Sequence, residues 1–143
     1  LWRYSNRPGD VLVGDLVSTN GLKQSNIDTG FTDVPNNIWY AQAIYWGKNI
    51  GITNGISNNE FGPKLPITRA QFITMLYRYA GSPKVNFTNN FNDVKSSSSY
   101  YDAVNWAANK GITTGTSSTT FSPNKNCTRE EVIMMLYRYN NKN

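Results

Sequence analysis

The residues with the most chemical potential in this sequence form two short runs sixty positions apart: Thr68, Arg69 and Gln71 in "ITRAQ", and Thr128, Arg129 and Glu131 in "CTREE". A threonine followed three positions later by Gln or Glu is a capping box, so each run predicts a helix start with the threonine as N-cap. Arg69 and Arg129 then stand in the first turn, beside backbone amides that have no intrahelical acceptor. The helix dipole opposes a cation there by roughly 0.3 kcal/mol or more, so something must compensate. A guanidinium fork and free amides converging on one spot suit a planar carboxylate, such as that of an acidic sugar. The other reading is that each arginine pairs with a carboxylate of the protein itself, for instance Asp33 in "FTDV" or Asp93 in "FNDV".

Sugar recognition would also need a flat apolar face and short polar groups. Trp46 and Trp106 recur in register, whereas Trp39 has Ser99 as its counterpart. For any one of these tryptophans core packing is the simpler reading. The loop residues Gly55, Ser57, Gly115 and Ser117 let a sugar approach the backbone closely, or else simply form tight turns. Catalysis has little to work with. The chain holds no histidine, so Ser-His and Cys-His machinery and the usual zinc sites are missing. Glu130 and Glu131 are adjacent and point in different directions on a helix, so no carboxylate pair for glycoside hydrolysis can be assigned. A binding module without enzymatic activity or cofactor is the expectation.

These residues are positioned by a repeat. Sliding Phe31–Pro83 forward by sixty residues lays it on Phe91–Asn143 without a gap, and 22 of the 53 positions are identical. The matches fall in blocks, among them "GITNGIS" on "GITTGTS" and "MLYRY" on "MLYRY". "LWRY" at Leu1–Tyr4 matches the end of these copies, so residues 1–8 are expected to be the C-terminal end of an earlier repeat. A linker over 9–30, a repeat over 31–83, a linker over 84–90 and a repeat over 91–143 complete the expected organisation, with a short strand possible in "DVLVGDLV". Each full copy reads as helix, glycine-punctuated loop, helix. Tyr40, Ala43, Ile44 and Gly47 recur at helical spacing and are matched by Tyr100, Ala103, Val104 and Ala107. A Phe and Pro close each loop and can pin it to the core. The second helices carry the stripes Phe72, Ile73, Leu76, Tyr79 and Val132, Ile133, Leu136, Tyr139.

Composition sets the class. One copy of about fifty residues could hardly bury a core alone, whereas packed copies could. Net charge is +5 and charged residues make up only 16% of the chain, with Asn, Ser, Thr and Gly on the surface, as in many secreted proteins. Lys and Arg are scattered singly, which argues against nucleic-acid binding. No apolar run approaches the roughly 20 residues of a membrane span, so no membrane insertion is expected. The one cysteine, Cys127, takes the place of Ile67, which predicts a small buried apolar slot and excludes a disulfide framework.

The order "FxDV", aromatic-rich helix, "GIxxG", "FxP", "TRxx" and apolar helix resembles the S-layer homology (SLH) domain, over Phe31–Asn143 and the stub at Leu1–Tyr4. The resemblance implies a mainly α fold of helix-loop-helix repeats around a pseudo-threefold helical bundle. It also implies grooves between neighbouring repeats that bind secondary cell-wall polysaccharide, often pyruvylated, and so fix surface proteins non-covalently to Gram-positive-type walls, outside the cell. The family's TRAE motif stands here as "TRAQ" and "TREE", retaining Thr68, Arg69, Thr128 and Arg129. Because no acidic side chain follows Arg69 within the first turn, its charge is expected to be the freer to meet an external carboxylate, while Glu130 and Glu131 neutralise Arg129 or repel an anion. The rival function is a protein assembly module with degenerate sugar grooves. A partner, or self-association, covering the incomplete first repeat is a further expectation.

Overall fold

Capping chemistry sets the start of the second helix of each copy in the computed structural model, which describes residues 26–142. Among the described residues there are four helices: α1 over Ala41–Asn49, α2 over Arg69–Tyr79, α3 over Tyr101–Asn109 and α4 over Arg129–Lys142. Their only β pairing is an isolated antiparallel bridge between Thr68 and Asn126. Helix α2 opens with the predicted capping box: Thr68 Oγ1 accepts from the Gln71 amide at 3.1 Å and Gln71 Oε1 from the Thr68 amide at 2.8 Å. Helix α4 repeats it with Glu131, at 3.3 Å in both directions. Helices α1 and α3 start at Tyr40 and Tyr100 with no side-chain cap, so burial must hold them.

The described residues fall into two compact units that meet in sequence between Lys64 and Leu65. That division lies within a sequence copy, ahead of its second helix, so packing and repetition are half a copy out of phase. In the first unit Phe31, Val34, Ala41 and Ile44 form a small core, flanked by Ile27, Ile38, Tyr40 and Phe61. Lys48 lies over the Phe31 ring, 4.3 Å from its centroid, and its ammonium donates to the Thr29 carbonyl at 2.8 Å.

In the second unit the larger core is shared by α2, α3 and α4, with Ile73, Leu76 and Tyr77 against Val104, Trp106 and Ala107, and Met135 from α4. The Trp106 ring lies between Tyr77, at 5.5 Å, and Tyr139, at 6.0 Å. Full burial of Trp106, Phe121, Ile73, Ile112 and Val104 contributes about 1.5–3 kcal/mol per large side chain. The prominent helix pairing is α2 on α3, a second helix on the first helix of the following copy. The expected positions of Leu1–Tyr4, of the linker up to residue 25 and of a strand in "DVLVGDLV" lie outside the described residues. No helix among the described residues is long and apolar enough to cross a membrane.

Candidate functional site

The start of α2 is where the sequence placed an anion receptor, and the structure fills it from within. The Arg69 amide donates to the Lys125 carbonyl at 2.9 Å and the Ala70 amide to the Pro123 carbonyl at 3.0 Å. With the Thr68 and Gln71 amides closed by the capping box, the first turn offers no free donor. The guanidinium is engaged as well. Arg69 Nε donates to the Phe121 carbonyl at 2.8 Å, the group lies 4.8 Å from the Phe121 ring centroid, and Nη1 pairs with Glu131 Oε2 at 3.1 Å.

Arg69 is thus a buried internal cation, its side chain only 6% exposed. The expectation that it is the freer arginine is corrected: its carboxylate comes from the other copy, not from its own first turn. The pairing supports the reading in which the arginine meets a carboxylate of the protein, but through Glu131 and not through Asp33 or Asp93. Glu131 caps α4 and pairs with Arg69, and its other oxygen lies 3.5 Å from Lys125 Nζ. Burial alone would push its carboxyl up. The Thr128 amide and the Arg69 guanidinium outweigh this and hold it below the usual glutamate range.

The two aspartates of "FxDV" have a different task. Asp33 accepts from the Phe61 and Gly62 amides at 2.8 and 2.7 Å, and Asp93 from the Phe121 and Ser122 amides at 2.9 and 2.8 Å. Each carboxylate holds the "FxP" end of its own loop, packing Phe61 on Phe31 and Phe121 on Phe91 at 5.7 and 5.8 Å. The Phe61 amide is the chief reason the Asp33 carboxyl sits below its ordinary value.

The loop residues are likewise structural. Gly55 and Gly115 adopt φ of +80° and +81°, and a Cβ at either would collide with a backbone carbonyl and with the Phe31 or Phe91 ring. Ser57 Oγ accepts from the Asn59 and Glu60 amides, and Ser117 Oγ from those of Thr119 and Thr120. Trp106 is buried in the core and offers no face to a sugar, while Trp46 is half-buried. Cys127 is a free thiol at the edge of the core. It is half-buried, short of the full burial expected, and burial pushes its pKa up. Arg129 is exposed and, among the described residues, has no ion-pair partner.

Among the described residues of the second unit, a cavity of about 500 Å³ opens to solvent and is lined by Asp93, Lys95, Ser98, Tyr100, Ser122, Pro123, Asn124 and Lys125. Two lysines, a tyrosine and short hydroxyl and amide side chains line it, beside the Asp93 carboxylate that the Phe121 and Ser122 amides already hold. Sequence reasoning missed most of this set because it followed identity between the copies. Lys95 stands where the other copy has Pro35, Asn124 where it has Lys64, and Lys125 where it has Leu65. Tyr100 does recur as Tyr40, and had been assigned to a helix stripe.

Comparison with known proteins agrees with this architecture. The family model described as "S-layer homology domain" matches residues 30–73 and 90–133, well over half of the chain. A surface-layer 125 kDa protein of Lysinibacillus sphaericus is 37% identical over 86 residues, covering 60% of this chain and 7% of that protein. The middle cell wall protein of Brevibacillus brevis is 32% identical over 93 residues, covering 62% of this chain and 9% of that protein. Endo-1,4-beta-xylanase A of Thermoanaerobacterium saccharolyticum is 30% identical over 131 residues, covering 92% of this chain and 11% of that enzyme. The chain thus spans a small fraction of the length of these relatives. No solved structure matches it at a significant level. Both the matched segments and the twice-built helix-loop-helix copy lead to one assignment: the chain belongs to the S-layer homology domain family and carries two of its repeats.

Proposed function

We propose that the chain is a cell-surface anchoring module that binds wall polysaccharide non-covalently, and that the sugar it takes carries a carboxylate. The observation that carries this reading is the company the shared segment keeps: it recurs in a surface-layer protein, a cell wall protein and a xylanase. A segment covering only 7%, 9% and 11% of these proteins, and shared by an enzyme with two proteins named for the surface layer and the wall, is read as supplying something other than the xylanase's chemistry. Attachment at the cell surface is the role that the names of the surface-layer and cell wall proteins suggest for it.

The polar cavity of the second unit supports the finer part of the proposal. Lys95 and Lys125 supply positive charge for a carboxylate, Tyr100 a ring face, and Ser98, Ser122 and Asn124 partners for hydroxyls. Arg129 is a second, separate cation able to meet such a group. Of the residues read from sequence, Thr68, Gln71, Thr128 and Glu131 enter the proposal as supports that fix the loop, and Arg69 as the internal tie that holds it. The test is calorimetric titration with purified wall polysaccharide, before and after its acidic substituents are removed. Lys95→Ala and Lys125→Ala should each weaken binding about tenfold, equivalent to ~1.4 kcal/mol, the size expected for losing a charge-assisted contact. Unchanged affinity for the neutralised polymer would reject the carboxylate, and no binding to either polymer would reject the anchoring role.

One observation favours a second reading, assembly with other protein chains. Most of the family-type motif residues are engaged inside the protein, while α4 leaves apolar side chains in solvent.

A further inference from the structure

The chain that joins α2 to α3 is held by hydrogen bonds at its two ends and nowhere between. At one end the Ser82 amide donates to the Tyr77 carbonyl at 2.9 Å, where Gly81 and Ser82 turn the chain out of α2 with φ of +90° and +52°. At the other the Asn89 amide donates to Asn105 Oδ1 of α3 at 3.0 Å. Among the described residues, no group of 83–88 makes a hydrogen bond, and the segment is neither helix nor turn. Lys84, Asn86, Phe87 and Thr88 are exposed, and only Val85 leans on the core. A stretch with its main-chain donors and acceptors unspent is what an endoprotease requires, because it takes its substrate extended and bonds it main chain to main chain.

Lys84 is the basic residue placed for this. The other described Lys and Arg lie in helices, except Lys64, Lys95, Lys110 and Lys125. The Lys95 carbonyl accepts from the Ser98 amide, the Lys110 amide donates to the Trp106 carbonyl, and the Lys125 carbonyl accepts from the Arg69 amide. Lys64 is followed by Pro66, whose ring takes an amide away from any strand formed there.

We propose that the link is a processing site for an endoprotease that selects a basic residue, and that the cut chain stays one folded body. Water adds across the Lys84–Val85 peptide bond, whose C–N bond breaks to leave a carboxylate on Lys84 and an amine on Val85. The two sides of the cut are tied without the link. Ile73, Leu76 and Tyr77 share a core with Val104, Trp106 and Ala107, Arg69 pairs with Glu131 at 3.1 Å, and the Cys127 amide donates to the Ile67 carbonyl at 2.8 Å. Val85 keeps the new amino end on that core. The inference is independent of polysaccharide binding and survives if that reading fails.

Trypsin at a low ratio is the probe, applied to the 143-residue chain, with the new ends at Lys84 and Val85 identified by mass. Cleavage there should run roughly tenfold faster than after Lys95, Lys110 or Lys125, and should not accelerate in urea below the unfolding transition, since no opening is needed. The two pieces flanking the cut should co-elute with the circular dichroism of the uncut protein and part only in denaturant. Lys84→Ser, at an exposed position, should remove this cut and leave folding as it was. Cleavage at the other three lysines as early as at Lys84, or a Lys84 cut that rises with urea in step with theirs, overturns the site. Pieces that separate without denaturant overturn the claim that the cut chain stays one body.

Discussion

At the scale of single residues, Arg69 shows how a motif can be right in type and misjudged in role. Its neighbours in sequence carry no acid, which made it look available, but charge neutrality is satisfied in space by Glu131 from the other copy. Removing Arg69 leaves Glu131 with only the more exposed Lys125 as a partner and opens a void beside the Phe121 ring. Arg69→Ala should therefore destabilise the fold by about 3 kcal/mol, read from urea unfolding, and should lower wall binding only by that route. The pH dependence follows from the direction of the Glu131 shift. Its folded pKa lies below the unfolded glutamate value of about 4.3, so its stabilising share is fully present above that pH. As pH falls through the folded pKa the share is lost, and Glu131→Gln should flatten that part of the acid unfolding curve. Cys127→Ile is the contrasting case. The slot is apolar and half-buried and the other copy already fills it with Ile67, so stability should change by less than about 1.5 kcal/mol.

At the scale of elements, what was legible was what depends on local chemistry. Thr68 with Gln71 and Thr128 with Glu131 announced both second helices to the residue, because a capping box is satisfied within four positions. The pinning of the loops by Phe61 and Phe121 was also legible, but the device was not. Asp33 and Asp93 act on amides 28 and 29 positions away, and nothing in the spacing of "FxDV" marks a carboxylate as a loop clamp. It was natural to pair those aspartates with arginines, since opposite charge is visible in a sequence and a turned loop amide is not. Asp93→Ala should leave the Phe121 and Ser122 amides without acceptors and loosen the loop whose carbonyls close the start of α2. The expected cost is about 2 kcal/mol, with faster amide exchange at Phe121 and Ser122 as its local signature. Asp93→Asn should recover part, because an amide oxygen can still accept from one of the two donors.

At the scale of the whole molecule, repetition was legible and packing was not. Identity between copies locates the boundaries of what was duplicated, whereas burial follows whichever faces meet, and here α2 buries Ile73, Leu76 and Tyr77 in the core it shares with the next copy's α3, while Tyr79 of the expected stripe is exposed. The natural place to cut the chain by sequence, before residue 84, therefore runs through a core. A fragment of residues 84–143 would keep α3 and α4 but lose Ile73, Leu76 and Tyr77, leaving one side of Trp106 bare and Phe121 without its Arg69 neighbour. The apolar area lost involves several large side chains at about 1.5–3 kcal/mol each, comparable to the whole stability of a small domain. A fragment of residues 65–143 retains the shared core, the Arg69–Glu131 pair and the amide contacts of Arg69 and Ala70. It should give a cooperative thermal transition and dispersed amide resonances, whereas 84–143 should give neither, although the latter is the fragment that looks complete in sequence. Equal folding of the two pieces would mean that α2 contributes little to the core around Trp106, and that the sequence copy is the folding unit after all.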